Sequence, residues 1–304
     1  MSTKFIANHV RNVVTAMGFG MRKSLKDRDL ELEAKLMDKF TDLGLSPTDL
    51  EPLEQFFQSS CLLASLCYKH NPMDVKAYAA TYTILLLGVD DLFSEGSVIY
   101  TFAHRFGTHE AQGHPFLDCL ARLLRVETPK LFGPFGTNII ITATLDGING
   151  STLETWFPRG LPKLMPAFSS WQRTWTGYSL AYGCFIFPNV EFPESEYLGR
   201  YVQIKPSLRD VISFMNDILS FYKERVLAKE VCLIANLAQE KSISDLASLK
   251  LVCDFALSLD KDIRQFLAGD RTVLGTYVGF LLGYLEWHFR VDRYRLEELG
   301  LTLD

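Results

Sequence analysis

The strongest constraint on this chain is the spacing of its apolar side chains. Residues 30–43, 50–68, 75–89, 115–125, 197–228, 243–267 and 272–299 all repeat apolar positions three and four apart, the period that lines one face of an α-helix. No two segments show the apolar–polar alternation of paired, half-buried strands. Residues 138–145 (NIIITATL) are β-branched and argue for a strand. Without a partner strand, a buried helix is the expectation. Breakers such as Ser46-Pro47, Asn71-Pro72 and Gly133-Pro134 separate the segments, and no repeat, low-complexity tract or long linker divides the chain. The pattern predicts an all-α fold, a single domain over 1–304, with helices packed around a central cavity.

With 304 residues, 48% of them hydrophobic, the chain can bury a large core. Its net charge of −5 offers no basic field to nucleic acid. The six cysteines fit neither a zinc site nor a disulfide framework, and reduced core thiols are expected. The N-terminus, MSTKFIANHV, lacks the apolar core of a secretory signal. The longest apolar stretch, 78–89, contains threonines and is far short of the roughly 20 residues a membrane span needs. These features lead to the expectation of a cytoplasmic protein with no membrane span.

Two polar clusters interrupt the apolar helices. The first, Gly88 to Glu95 (GVDDLFSE), contains Asp90, Asp91 and Glu95. Tyr82, Leu86 and Asp90 are four residues apart, so an apolar face runs up to an acidic rim. Acids at a helix C-terminus oppose its dipole and invite a cation. Magnesium, which takes oxygen ligands and completes its shell with water and substrate phosphate, suits such a rim. A solvated helix end would carry the same residues.

The second cluster is sharper. Asn216, Ser220 and Glu224 stand at i, i+4 and i+8, within roughly 80° of one helix face. An amide oxygen, a hydroxyl and a carboxylate are three hard ligands for one magnesium ion. Lys223 adds a point charge within reach of a phosphate. The stripe lies among Val211, Ile212, Phe214, Met215 and Leu219, which is not the composition of an outer face.

Taken with Asp292-Arg293-Tyr294-Arg295 near the C-terminus, these motifs resemble those of the trichodiene synthase family of fungal class I terpene cyclases, in the family's order. The resemblance extends through Asn138 to Gly147 and Trp171 to Phe187, so it covers most of the chain from Tyr78 onward. It implies a class I terpene synthase helical bundle that ionises farnesyl diphosphate with three Mg²⁺ ions and cyclises the cation to a sesquiterpene hydrocarbon or alcohol. It further implies that Asn216, Ser220 and Glu224 hold one ion, and that Asp90, helped by Asp91 or Glu95, holds the others. Lys223 and Arg293 would bind diphosphate oxygens and Tyr294 would donate a hydrogen bond. Arg173 would sense the diphosphate, and Gly177 would lie at a helix break presenting a carbonyl to the cation. The first cluster departs from the D-D-x-x-D/E form, because Ser94 takes the third acidic position and Glu95 follows it.

A carbocation needs an apolar, water-excluding cavity with aromatic faces that stabilise without attacking. Tyr284, Trp287 and Tyr294, at helical spacing, and Tyr82, two turns before Asp90, are candidate lining residues; plain core packing would account for the same stripe. A chain-elongating prenyltransferase usually needs a second aspartate-rich motif where this chain has Asn, Ser and Glu. A non-catalytic helical isoprenoid-binding protein would not need to retain the polar set. A homodimer is compatible with everything above.

Overall fold

The computed structural model describes residues 2–24, 28–93, 97–157, 160, 161 and 163–304. Among them there is no strand, and α-helices make the architecture. The helices that build the central cavity are α1 (Glu54–Cys67), α2 (Met73–Leu92), α3 (Pro134–Trp156), α4 (Phe168–Trp175), α5 (Ser179–Phe185), α6 (Lys205–Phe221) and α7 (Arg271–Arg290). Six of them close a ring through the contacts α2–α1, α1–α7, α7–α6, α6–α5, α5–α3 and α3–α2, while α4 packs against α3 and α6. Outside the ring, Leu30–Asp42 covers α2, and Asp245–Phe266 covers α6. No described helix is long and apolar enough to cross a membrane. All six cysteines are free thiols, five of them buried.

The β-branched stretch at 138–145 lies inside α3. The Thr142 and Thr144 hydroxyls donate to the carbonyls of Asn138 and Ile140 at 2.9 and 2.7 Å, so the helix satisfies their polarity internally. The start of α3 is held from outside: the Glu194 carboxylate accepts from the Phe135 and Gly136 amides at 2.9 and 2.6 Å, which suits the positive end of the helix dipole. Between α7 and α1 the backbones come close at Gly283, where a β-carbon would overlap the Leu66 carbonyl. That approach needs a residue without a side chain.

Two long periodic segments prove to be interrupted. Residues 197–228 break into Glu194–Tyr201, a 3₁₀ turn at Val202–Ile204, α6 and a π-helical turn over Tyr222–Ala228. Pro206 cannot donate to the preceding turn, so α6 begins afresh there. Residues 272–299 do not form one helix: α7 ends at Arg290, Val291 is extended (φ −100°, ψ 116°), and Asp292–Tyr294 forms a 3₁₀ turn. Tyr294 therefore leaves the face that carries Tyr284 and Trp287. Arg295, with φ +56°, turns the chain again.

Candidate active site

The helical ring encloses a cavity of about 480 Å³. Leu63, Tyr68 and Phe280 contribute to its apolar wall, and some polar groups from each sequence cluster also open into it. Asp90, Arg173, Gly177, Asn216, Lys223, Glu224, Tyr284, Trp287, Arg293 and Tyr294 all line this one space. Of the thirteen anticipated residues that are described, three do not. Tyr82 is wholly buried behind the wall; its hydroxyl meets that of Thr144 at 2.8 Å and its ring stands edge-on to that of Tyr182, which does face the cavity. Asp91 lies outside the lining, beside Arg293. Ser220 sits behind it, with only 1% of its surface exposed. Glu95 lies outside the described residues.

The Asp292–Tyr294 turn links the two clusters. Arg293 donates to the Asp91 carboxylate at 3.1 Å, and the neighbouring Tyr294 hydroxyl accepts from the Asn216 amide nitrogen at 3.4 Å. Two adjacent residues thus touch α2 and α6, far apart in sequence. On the α6 side the π-turn matters. Its wider coil advances less per residue than an α-helix, so Glu224 stays closer to the Asn216–Ser220 face than simple periodicity predicts.

Arg173 is nearly enclosed. Its Nε donates to both Asp217 carboxylate oxygens at 3.1 and 2.9 Å, and one terminal nitrogen donates to the Thr176 carbonyl at 2.6 Å. The other terminal nitrogen donates to the Ser213 carbonyl and the Asn216 amide oxygen, both at 3.4 Å. Arg173 lies in the last turn of α4, and the chain turns through Gly177 (φ +102°) and Tyr178 (φ +55°) before α5 begins. A β-carbon at Gly177 would run into the Arg173 guanidinium. The helix break and the arginine's position therefore depend on one glycine.

Burial raises three carboxylates at the site. Asp90 is pushed up to about 6 by burial, against a hydrogen bond from Ser151 at 3.1 Å, with Asp91 adding to the rise. Asp217 is likewise pushed up to about 6 by burial, opposed by Arg173. Glu154 rises to about 7, again from burial, with Asp90 nearby. Asp90 and Glu154 keep accessible surface, and it faces the cavity, where the surrounding walls penalise their charge. His288, fully buried, is pushed down to about 3. A pocket that holds carboxylates at this cost suits a positively charged ligand.

The donor chemistry fits magnesium. The Ser220 hydroxyl is buried with no hydrogen-bond partner, an expensive state for a polar atom unless something absent here completes it. Asn216, Ser220, Glu224 and Asp90 supply only oxygen donors of the hard kind magnesium selects. Among the described residues, no three His, Cys, Asp or Glu side chains cluster as a metal site.

Sequence reasoning missed Asp217, Ser151, Glu154, Tyr178 and His288. Gly147, Ser151 and Glu154 at i, i+4 and i+7 on α3 carried a signal, one helix face that sets Gly147 and Ser151 against Tyr178 and brings Glu154 into the cavity lining.

The architecture is that of a class I terpene synthase. It matches the crystal structure of linalool/nerolidol synthase from Streptomyces clavuligerus with a TM-score of 0.66 at 15% identity, covering 88% of this chain and 98% of that one. It also matches 2-methylisoborneol synthase from Streptomyces coelicolor A3(2), solved with Mg²⁺ and 2-fluoroneryl diphosphate, with a TM-score of 0.59 at 12% identity over 90% of this chain and 95% of that one. In sequence, the chain is 25% identical over 289 residues to (E)-beta farnesene synthase from Metarhizium brunneum, covering 93% of this chain and 87% of that protein. The family model of trichodiene synthase (TRI5) matches residues 41–301, and the chain belongs to that family. It is a terpene synthase, an enzyme of the carbon–oxygen lyase type.

Proposed function

We propose that this chain, acting as one domain over 1–304, ionises farnesyl diphosphate with three magnesium ions and cyclises the cation to a sesquiterpene hydrocarbon or alcohol. The observation that carries this reading is the convergence of Asp90, Arg173, Asn216, Glu224 and Arg293 on one cavity with apolar and aromatic walls. Asn216, Ser220 and Glu224 would hold one ion, and Asp90, with Asp91 or Glu95, the others. Bound magnesium would supply Lewis-acid charge to the leaving diphosphate.

The chain's own residues do the rest. Lys223 and Arg293 bind diphosphate oxygens, and Arg293 does so by trading its bond to Asp91 for the anion. Arg173 is held at the cavity by Asp217, so its charge is already oriented when negative charge develops on the departing oxygens. Gly177, at the break between α4 and α5, presents backbone rather than side chain to the reacting end. Tyr284 and Trp287 keep their polar ends occupied: the Tyr284 hydroxyl donates to the Ile212 carbonyl at 3.3 Å and the Trp287 indole to the Ser59 carbonyl at 2.8 Å. What remains for the cation is ring face, which stabilises charge without capturing it. A volume of about 480 Å³ falls within the roughly 300–1,000 Å³ of small-molecule sites.

The test is gas chromatography–mass spectrometry of products from C10, C15 and C20 diphosphates with Mg²⁺. Cyclic C15 products and released diphosphate are expected from farnesyl diphosphate alone. Turnover that requires added isopentenyl diphosphate would indicate chain elongation, and no turnover of any substrate would overturn the reading.

A further inference from the structure

An amide side chain can serve a cation only one way round, because its oxygen accepts and its nitrogen does not. At Asn216 the nitrogen lies 3.3 Å from His288 Nε2 and 3.4 Å from the Tyr294 hydroxyl, while the oxygen lies 3.4 Å from the Arg173 guanidinium. The tyrosine cannot choose between the two orientations, since a hydroxyl donates or accepts by rotating. The histidine can. Its Nδ1 is 2.8 Å from the Tyr284 carbonyl oxygen, and a carbonyl only accepts, so Nδ1 carries the proton. The ring is fully buried among the rings of Tyr284, Trp287 and Tyr294. A neutral imidazole protonated at Nδ1 offers a lone pair at Nε2. Asn216 must then give its N–H₂ to His288, which leaves its oxygen for the cavity.

We propose that His288 is the positioning residue that fixes the Asn216 amide, holding its oxygen toward the metal. The inference rests on the reading of Asn216 as a magnesium ligand. Partners of this kind, behind a ligand, typically change metal affinity by about 10–100-fold when removed. Two substitutions separate orientation from packing. His288→Gln keeps an acceptor where Nε2 stood. His288→Asn keeps a donor toward the Tyr284 carbonyl but withdraws the acceptor from Asn216.

The measurement is thermal stabilisation by inorganic diphosphate as Mg²⁺ is titrated, with Asn216→Ala alongside, together with ¹⁵N-histidine NMR of the wild-type protein. The Mg²⁺ concentration for half-maximal stabilisation should rise about 10–100-fold in His288→Asn and stay within a few-fold of wild type in His288→Gln, and the His288 proton should sit on Nδ1. Equal Mg²⁺ responses in the two His288 variants overturn the proposal, and so does a proton on Nε2 in the wild type, even if neither variant folds. An Asn216→Ala protein that keeps the wild-type Mg²⁺ response would instead remove Asn216 from the metal site, a distinct failure.

Discussion

The two polar rims of the cavity are built differently. On the α6 side, Asn216 hydrogen-bonds with His288 and Tyr294, Asp217 clamps Arg173 of α4, and Ser220 is buried without a partner. On α2, Asp90 has one hydrogen bond, from Ser151, and Asp91 is tied to Arg293 by a pair whose side chains are 36% and 45% exposed. One rim is prearranged by buried contacts. The other is a solvated helix end whose present partner, Arg293, is a group the substrate would claim. If the proposed function holds, the contrast implies an order of assembly: the α6 rim would receive its ion with little rearrangement, whereas the α2 rim would be completed only when diphosphate draws Arg293 from Asp91.

The largest expected effect falls on the prearranged rim. Asn216→Ala or Glu224→Ala should abolish turnover while leaving the thermal melt near wild type; near-normal rates at saturating Mg²⁺ would dissolve the contrast. Next comes the clamp behind that rim. Asp217→Ala leaves the Arg173 charge buried and unpaired and should cost about 3–5 kcal/mol of stability, read by denaturant unfolding. Arg173→Lys, which loses the planar fork, should slow ionisation by roughly 10²-fold and change the product mixture; an unchanged rate and profile would take Arg173 out of the chemistry.

The solvated rim should respond more gently. Its Asp91–Arg293 pair is worth about 0–1 kcal/mol to stability, so Asp91→Asn should leave the melt unmoved and alter the concentration dependence on substrate. The smallest effect is one of pH. Because the fold holds Asp90 up near 6, mainly by burial, its ionised form is penalised in the native state. That penalty is absent at low pH, grows as pH rises toward the folded value, and is complete above it. Without divalent ions, Asp90→Asn should therefore melt above wild type at pH 8, with the gap closing as pH falls below 6; a gap that widens toward low pH would contradict the assignment.

Helix positions and the Asn216–Ser220–Glu224 stripe were legible because both depend on local periodicity. So was the break at Gly177, given the family pattern. Asp217 stayed hidden because its partner, Arg173, lies 44 positions away. His288 stayed hidden because its role depends on Asn216, 72 positions away. The end of α7 at Arg290 was misread for a related reason: the chain leaves the helix through an extended Val291, to bring Arg293 and Tyr294 to opposite clusters. Nothing in the apolar spacing of 272–299 records that departure. Tyr82 shares the Asp90 face as its spacing requires, but Tyr182 stands between it and the cavity.

The central claim is that α2 and α6 share a metal-bound diphosphate across one cavity. Anomalous diffraction from crystals grown with Mn²⁺ and inorganic diphosphate tests it directly. The account predicts one peak bonded to Asn216, Ser220 and Glu224 and at least one more at Asp90, with diphosphate between them and Arg293 turned toward it. Metal bound elsewhere, or at Asp90 with the Asn216 side empty, would contradict it.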